Sequence, residues 1–428
     1  MDTKKIKYIP LFLMTMVLFS CKQETGFTTQ RDDYDRYLAA KPVKTTSKYF
    51  QLWDNKIKSD SLQLLSLGNV AGEYNRFFQG TGDIKYLKMA EQSLQKAVDI
   101  AAVGKAGYYR ALARNYISQH RFKEALQLTQ KAREMGSGVN DTQGLLFDVH
   151  MELGNYDEAH AYLDSISNMS DFGYLIRLAK WNDHKGDLDT AIRFMEKAVV
   201  KAESSKNRSM LLWSYTNLAD FYGHAGRIEE SYQMYLRALR LDPQNAYAKK
   251  GIAWIVYSHE RNGEEALRIL DSILLKHQSP EYYLLKAEIA EFMGNEVLKL
   301  EALDNYYKKV QNADYGDMYN AYNVDFYIDM NVEEKAMKLA QKEVENRPTP
   351  ESYSLLAYSY FTKGEKEKAL EIVETHIAGK TFEPGILSKA AEIYKANGDH
   401  GKVKELKQEL VGAIYELGPV MESQILSL

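Results

Sequence analysis

Three histidines recur at similar intervals in the middle of the chain and are the residues best suited to chemistry. His184, His224 and His259 occupy the same position in three successive segments of similar sequence. Neutral imidazole is a common zinc ligand, and it titrates near neutral pH. Equivalent positions in stacked helix pairs lie about 10 Å apart, however, whereas a zinc–nitrogen bond is about 2 Å long. We therefore interpret these histidines as polar residues near helix ends, with a metal site or a pH sensor as the alternative.

The sequence patterns that mark common catalytic sites are absent. The chain contains no HExxH, GxSxG, GxxxxGK[ST] or DxDxDG pattern. Gly80-Thr81-Gly82 is a glycine pair, but a phosphate-binding loop follows a strand, and only helical patterns flank this one. We predict an inter-helix turn at these glycines. The sequence thus predicts a protein that is not an enzyme and that uses no metal or cofactor.

The only cysteine, Cys21, lies at the end of an N-terminal address segment. Lys4, Lys5 and Lys7 form a basic region, and the apolar run Leu11–Phe19 follows it. This order is typical of a secretory signal, and about ten apolar residues are too few for a spanning helix, which needs roughly twenty. A single cysteine can form neither an internal disulfide nor a paired zinc motif.

The residues around this cysteine resemble a bacterial lipobox, in which the cysteine is lipidated and becomes the mature N-terminus. Leu18-Phe19-Ser20-Cys21 has this layout, although Phe19 departs from the small residue usual at its place. The resemblance implies a lipoprotein signal peptide over residues 1–20 and a membrane anchor on Cys21. Lys22 stands where an aspartate often signals inner-membrane retention, which favours the outer membrane. A plain signal peptide is the alternative.

Two helical patterns joined by a short turn, residues 212–245, set the frame for the rest of the chain. Ser231 and Tyr235 recur on one face of the second helix, with a period of 3.6 residues. Gly226 lies where the first helix ends and the chain reverses, and Pro243 ends the second helix because proline has no N–H to continue it. The segment therefore predicts a helix–turn–helix unit.

The same frame fits ten segments along the chain. They begin near Ala71, Ala106, Asn140, Phe172, Leu212, Tyr247, Pro280, Asp317, Pro350 and Pro384. Glycine recurs at the turn, as Gly154, Gly186, Gly226, Gly294, Gly364 and Gly398. Alanine recurs at the eighth position, as Ala113, Ala179, Ala219, Ala287, Ala357 and Ala391. It also recurs at the twentieth, as Ala125, Ala159, Ala191, Ala266, Ala336 and Ala369, where a small side chain lets two helices pack closely. This pattern resembles the tetratricopeptide repeat (TPR), with its helix–turn–helix layout and 34-residue period.

The resemblance implies a concave groove lined by the first helix of each repeat. Basic residues on these helices lie towards the N-terminal end, namely Arg110, Arg114, Arg177 and Lys180. Acidic residues follow further along, among them Asp220, Glu288 and Asp325. These seven residues are the candidate partner-binding groove. The Lys, Asn and Arg set by which some TPR proteins clamp a chaperone's C-terminal carboxylate is not reproduced, so a chaperone terminus is not implied.

Composition limits the class of partner. The formal net charge of −4 over 428 residues gives no reason to expect nucleic acid as a partner. Charged residues make up 27% of the chain, a usual proportion for a soluble folded protein, and no linker rich in Ser, Gly and Pro interrupts its middle.

The sequence predicts an all-α protein, a TPR-like α-solenoid that forms a right-handed superhelix of about ten repeats. We assign residues 1–20 to the signal peptide, 21–46 to a flexible tether and 47–428 to the repeat domain, with a leading helix from about Ser47. The predicted function is a membrane-anchored, non-catalytic scaffold of the bacterial cell envelope that binds a segment of another protein. The alternative is a nutrient-binding outer-membrane lipoprotein similar to the SusD group.

Overall fold

The computed structural model describes residues 26–39, 44–57 and 63–428, and in these ranges the chain is helical with no strand. The predicted signal peptide and Cys21 lie outside the described residues. None of the described helices is both long and apolar enough to cross a membrane.

Ten antiparallel helix pairs form the array, and two short helices precede it and two follow it. The leading helices are α1 (Arg31–Leu38) and α2 (Lys48–Asp54). The pairs are α3 (Leu64–Thr81) with α4 (Ile84–Ile100), α5 (Lys105–Ser118) with α6 (Phe122–Glu134), α7 (Val139–Glu152) with α8 (Tyr156–Ser165), α9 (Phe172–His184) with α10 (Leu188–Ser205), α11 (Arg208–His224) with α12 (Ile228–Leu241), α13 (Ala246–Trp254) with α14 (Gly263–Leu274), α15 (Glu281–Phe292) with α16 (Glu296–Val310), α17 (Asn320–Asp329) with α18 (Glu333–Asn346), α19 (Pro350–Thr362) with α20 (Lys366–His376), and α21 (Pro384–Ala396) with α22 (His400–Gly412). The last helices are α23 (Ile414–Leu417) and α24 (Pro419–Ser427).

Small residues set the close approach of the helices, as the pattern predicts. Each alanine of the eighth and twentieth positions is at most 4% exposed. The turn glycines adopt positive φ, such as 71° at Gly226, a conformation that costs glycine little. The predicted TPR-like α-solenoid is therefore confirmed, with ten helix pairs.

The first repeat departs from the predicted register. Its first helix begins at Leu64, and Gly82 ends it with a φ of 64°. Gly82 therefore ends this helix three positions before the turn that the frame from Ala71 predicts, whereas Ala90, the twentieth residue from Ala71, is fully buried as that frame predicts. The turn between α3 and α4 is short, because α4 begins at Ile84, two positions after Gly82.

The prediction of a flexible tether over residues 21–46 is wrong for the part that the structure describes as helix α1. Tyr34 and Tyr37 are buried against the array, at 2% and 8% exposure, and α1 packs on α12 and α14. The sequence pattern missed this helix because its eight residues are too few to show a clear period, and its partners lie about 200 positions away. The leading helix predicted near Ser47 is confirmed, since the Ser47 side chain caps α2.

Successive turns of the superhelix touch one another. Gln278, just before the seventh helix pair, donates its backbone N–H to the carbonyl of Thr81 in the first pair at 2.7 Å. Asn346 of the eighth pair donates to the carbonyl of His120 in the second pair at 3.1 Å, across 226 positions. The array thus coils closely enough for one turn to rest on the next.

The C-terminal helices cap the last repeat and also reach across the superhelix. Ile425 of α24 is fully buried with Leu387 and Leu410 of the tenth pair. Helix α23 contacts α11, and α24 contacts α15, two helices of the middle repeats. The C-terminal helices therefore cover the last repeat and also contact the middle of the array.

Candidate functional site

The first helices of the repeats line the concave side of the superhelix, and a cavity of about 420 Å³ opens there towards the N-terminal end. Three of the four predicted basic residues line it, namely Arg114, Arg177 and Lys180. Trp213 and Phe221 of α11 add an aromatic wall. The cavity thus combines positive charge with apolar surface, and it is formed by α5, α7, α9, α10 and α11.

Arg110, the fourth predicted basic residue, does not line this cavity. Its guanidinium donates to the carbonyl of Ser137 at 2.8 Å and to the hydroxyl of Thr142 at 3.1 Å. Arg110 therefore ties the second repeat to the start of the third. Arg110 and Arg114 share one helix, but only Arg114 faces the cavity.

Two of the lining cations are held by carboxylates of the neighbouring repeat. Arg177 forms a two-pronged pair with Asp148, with N···O distances of 3.0 and 2.6 Å. The Lys180 ammonium lies 2.8 Å from the Glu152 carboxylate. These pairs fix the positions of the two cations and neutralise much of their charge.

Arg114 is different, because among the described residues its guanidinium has no hydrogen-bond or ion-pair partner. Desolvation by the surrounding protein lowers its pKa below the ordinary arginine value; the carboxylates of Asp148 and Asp141 oppose this effect, and the like charge of Arg177 adds to it. The group remains charged at neutral pH because the ordinary value is so high. Arg114 is therefore the cation of this cavity that is available to an anionic ligand.

The predicted acidic residues lie together in a second, larger cavity of about 1030 Å³. Asp220 accepts hydrogen bonds from the hydroxyls of Tyr235 and Tyr247. Asp325 lies 2.6 Å from the ammonium of Lys389 on α21. Glu288 accepts from the Tyr257 hydroxyl at 3.0 Å. In the sequence the lysine and tyrosine partners of these carboxylates lie 15 to 64 positions away.

Part of this second cavity is filled by the chain's own C-terminal segment. The carbonyl of Tyr415 accepts from the Trp254 indole at 3.1 Å and from the Ser258 hydroxyl at 2.6 Å. Gly418, with a φ of 82°, lies so close to Glu288 that an added Cβ would be 2.5 Å from the carboxylate. The C-terminal segment thus forms one wall of the concave site.

The sequence carried one signal of this arrangement. Trp254 stands at the eighth position of its repeat, where a small residue is usual. The helix there continues as a π-helical turn over Ile255–His259. Such turns are rare and are frequently found at functional sites. In this protein the turn carries Ser258, which together with Trp254 binds the C-terminal segment.

Burial beneath this segment raises the pKa of the Glu288 carboxyl to about 7; nearby Glu291 adds to this effect and the Tyr257 hydroxyl opposes it. The folded protein therefore holds a proton that the unfolded chain, with an ordinary pKa of 4.5, releases. This group's contribution to stability is present below about pH 4.5 and is lost as the pH rises to about 7.

Glu288→Gln is therefore expected to be more stable than the wild type above pH 7, by about 2–3 kcal/mol, because glutamine never ionises. The pKa of Glu383 is also raised to about 7. The free energy of unfolding of both the wild type and the variant therefore still changes with pH through Glu383. Urea unfolding at pH 5 and pH 8 measures the difference between the two proteins. An equal difference at both pH values would contradict the assignment to Glu288.

The three regularly spaced histidines have separate surroundings. His184 packs against Tyr156 with ring centroids 4.1 Å apart and the two ring planes tilted by 32°. The Nδ1 atom of His224 lies 3.9 Å from the Glu416 carboxylate, and His259 bonds the Phe27 carbonyl at 3.0 Å. In the part of the chain that the structure describes, no group of three or more His, Cys, Asp or Glu residues could hold a metal ion. These contacts agree with the interpretation as polar residues near helix ends.

The ten helix pairs and the concave cavities define the class of this protein as a TPR-like α-solenoid. A family model described as "Tetratricopeptide repeat" matches residues 224–289, from the end of α11 into α15. The comparison with curated proteins finds no match.

Two solved structures align with most of this chain at low sequence identity. One is the Cut9–Hcn1 hetero-tetramer of the APC/C, with 13% identity over 89% of this chain and 95% of the other, and a TM-score of 0.35. The other is yeast Tom70, with 14% identity over 82% of this chain and 84% of the other, and a TM-score of 0.36. At such low TM-scores these likenesses carry no argument about partners.

Proposed function

We propose that this protein is a non-catalytic scaffold of the bacterial cell envelope that binds a segment of another protein in its concave groove. In this proposal, a lipid on Cys21 anchors the protein in the outer membrane. A TPR-like solenoid suits such a role because stacked repeats present an extended concave surface. The observation that carries the proposal is the cavity around Arg114, where a cation that pairs with none of the described side chains lies beside an aromatic wall.

The cavity favours an acidic segment that also carries an apolar side chain. An aspartate or glutamate of the partner would pair with Arg114, whose guanidinium has no hydrogen-bond or ion-pair partner among the described residues. An apolar side chain would cover Trp213, which is 42% exposed, and the neighbouring Phe221. Nucleic acid does not fit, because the larger cavity next along the groove presents Asp220, Glu288 and Asp325.

The SusD-like alternative has no specific observation in its favour. Proteins of that group interrupt their repeats with long non-helical insertions that build the ligand site. Between α3 and α24 the described chain passes from each helix to the next through short connections.

Charge reversal at Arg114 tests the proposal. Arg114→Glu is expected to weaken capture of the partner about tenfold or more at low salt, because it places a carboxylate against an acidic segment. The loss is expected to shrink as salt rises, since exposed charges are screened over about 8–10 Å at physiological ionic strength. Affinity capture with quantitative mass spectrometry, followed by titration of the enriched protein, measures the effect.

Arg193→Glu is the matched control, because Arg193 is an exposed arginine on α10, the second helix of its repeat. Reversing Arg110 would be less informative, since it breaks the bridge to Ser137. Circular dichroism should be the same for both variants and the wild type. A partner that binds Arg114→Glu as tightly as the wild type at low salt would exclude this cavity as its site.

A further inference from the structure

The residues just after the proposed anchor are fixed to the outer face of the array. Tyr34 donates its hydroxyl to Glu265 of α14 at 2.8 Å and is 2% exposed. Tyr232 of α12 donates to the carbonyl of Gln30 at 3.1 Å. Arg268 of α14 pairs with Asp35. The docking therefore combines buried aromatic surface with several directed contacts.

The docked segment begins at least as early as Phe27. Its ring lies 5.5 Å from the Tyr232 ring, and its carbonyl is bonded by His259. Thr29 donates its backbone N–H to Glu260 at 2.5 Å. Residues 27–38 thus lie on the second helices of the fifth and sixth repeats, on the side away from the concave cavities.

This docking shortens the connection between the lipid and the folded array. A free tether over residues 21–46 could extend by up to about 85 Å. From Cys21 to Phe27 there are only six peptide units, which span at most about 20 Å. The part of the array nearest the anchor is then the outer face of α12 and α14.

We propose that this outer face, formed by α1, α12 and α14, is held against the lipid surface, with Phe27 within about 20 Å of the anchor. The proposal rests on the lipidation of Cys21 in the proposed function. The concave groove lies on the other side of the same helix pairs, so it faces away from the lipid headgroups. A partner would then reach the groove from the aqueous side.

The charges on this face do not drive the arrangement. Arg31 lies 3.5 Å from Asp35 and 3.7 Å from Glu265. Arg268 pairs with the same two carboxylates. These two arginines are neutralised by the carboxylates beside them, and α1, α12 and α14 together carry three more carboxylates than cations. The orientation therefore comes from the short connection, and anionic lipid should not strengthen it.

Energy transfer to the membrane surface tests the orientation. A donor dye is placed on Gln233→Cys of α12 or on Glu371→Cys of α20, both exposed positions. Helix α12 belongs to the fifth repeat and α20 to the ninth. The two helices are therefore more than half a superhelical turn apart. In lipidated protein the Cys21 thiol is blocked, so each variant carries one label. Lipidated protein is reconstituted into phosphatidylcholine vesicles that contain a rhodamine headgroup acceptor.

The transfer efficiency is expected to be at least about twofold higher from Gln233→Cys than from Glu371→Cys. A compact chain of this length has a radius of gyration of about 22 Å, so dyes on opposite sides are on the order of 40 Å apart. Replacing Tyr34 with alanine and Arg268 with glutamate undocks α1 and should remove the difference. Circular dichroism checks that the array stays folded in this release variant.

Two failures are distinguishable in this experiment. Wild-type protein that binds the vesicles but transfers equally from both dyes would overturn the orientation and leave the anchor intact. If Cys21→Ala sediments with the vesicles as the wild type does, the anchor of the proposed function fails, and the orientation fails with it. If the difference in transfer efficiency between the two dye positions were the same in the wild type and in the release variant, α1 would not set the orientation.

Discussion

Gly251→Ala is expected to destabilise the array by about 1–3 kcal/mol, although alanine is the better helix former. An added Cβ at Gly251 would lie closer than 3.0 Å to the ring of Tyr235 on α12. That ring cannot move aside easily, because it is buried and its hydroxyl is bonded to Asp220. The methyl group must therefore push α13 away from α12, in the middle of the array. Urea unfolding followed by circular dichroism measures the change.

Gly72→Ala is the matched control, since Gly72 also lies inside a helix, α3, and an added Cβ there meets no atom within 4 Å. Its expected effect has the opposite sign, a gain of about 0.5–1 kcal/mol from the lower conformational entropy of the unfolded chain. A wild-type or higher stability of Gly251→Ala would show that the fifth and sixth repeats do not pack as described.

Arg347→Met is expected to cost about 3–5 kcal/mol, because it leaves a buried carboxylate without its cation. The Glu343 side chain is 1% exposed, and Arg347 donates to it at 2.8 Å. Arg347 also lies 3.6 Å from Glu152 of the third repeat, in the neighbouring turn of the superhelix. The substitution therefore removes a contact between turns as well as a pair within the eighth repeat. Thermal and urea unfolding measure the loss.

Lys308→Met provides the comparison, since Lys308 and Asp304 form a pair whose side chains are 69% and 55% exposed. Such surface pairs contribute about 0–1 kcal/mol. Adding Glu343→Gln to Arg347→Met should recover part of the loss, because the uncompensated charge is then gone. If the double variant were no more stable than Arg347→Met alone, the loss would come from a source other than the buried charge.

Local spacing predicted the repeats because the repeat pattern is itself a packing rule. Alanines such as Ala219 and Ala357 recur wherever two helices of one pair must approach, and both are fully buried. The contacts between turns could not be predicted in this way. Whether Asn346 meets His120 depends on small rotations added over six repeats, and no local pattern records their sum.

The candidate site, like the fold, could be predicted from the sequence only in part. Arg114, Arg177 and Lys180 lie together because they share the inner face of the first helices of the second and fourth repeats. Their availability was not predictable, since the carboxylates that pair with Arg177 and Lys180 come from the preceding repeat. The placement of the C-terminal segment was missed because it depends on the closure of the whole superhelix around Tyr415.

The contacts between successive turns also bear on how the molecule responds to force. An open solenoid lengthens like a soft spring, because each repeat interface yields by a small angle. Here the bond from Gln278 to Thr81, and the contact of Arg347 with Glu152, join coils that would have to separate first. The array should therefore resist extension up to a threshold and then yield abruptly. A pulling force applied across the array would therefore pass through a stiff body.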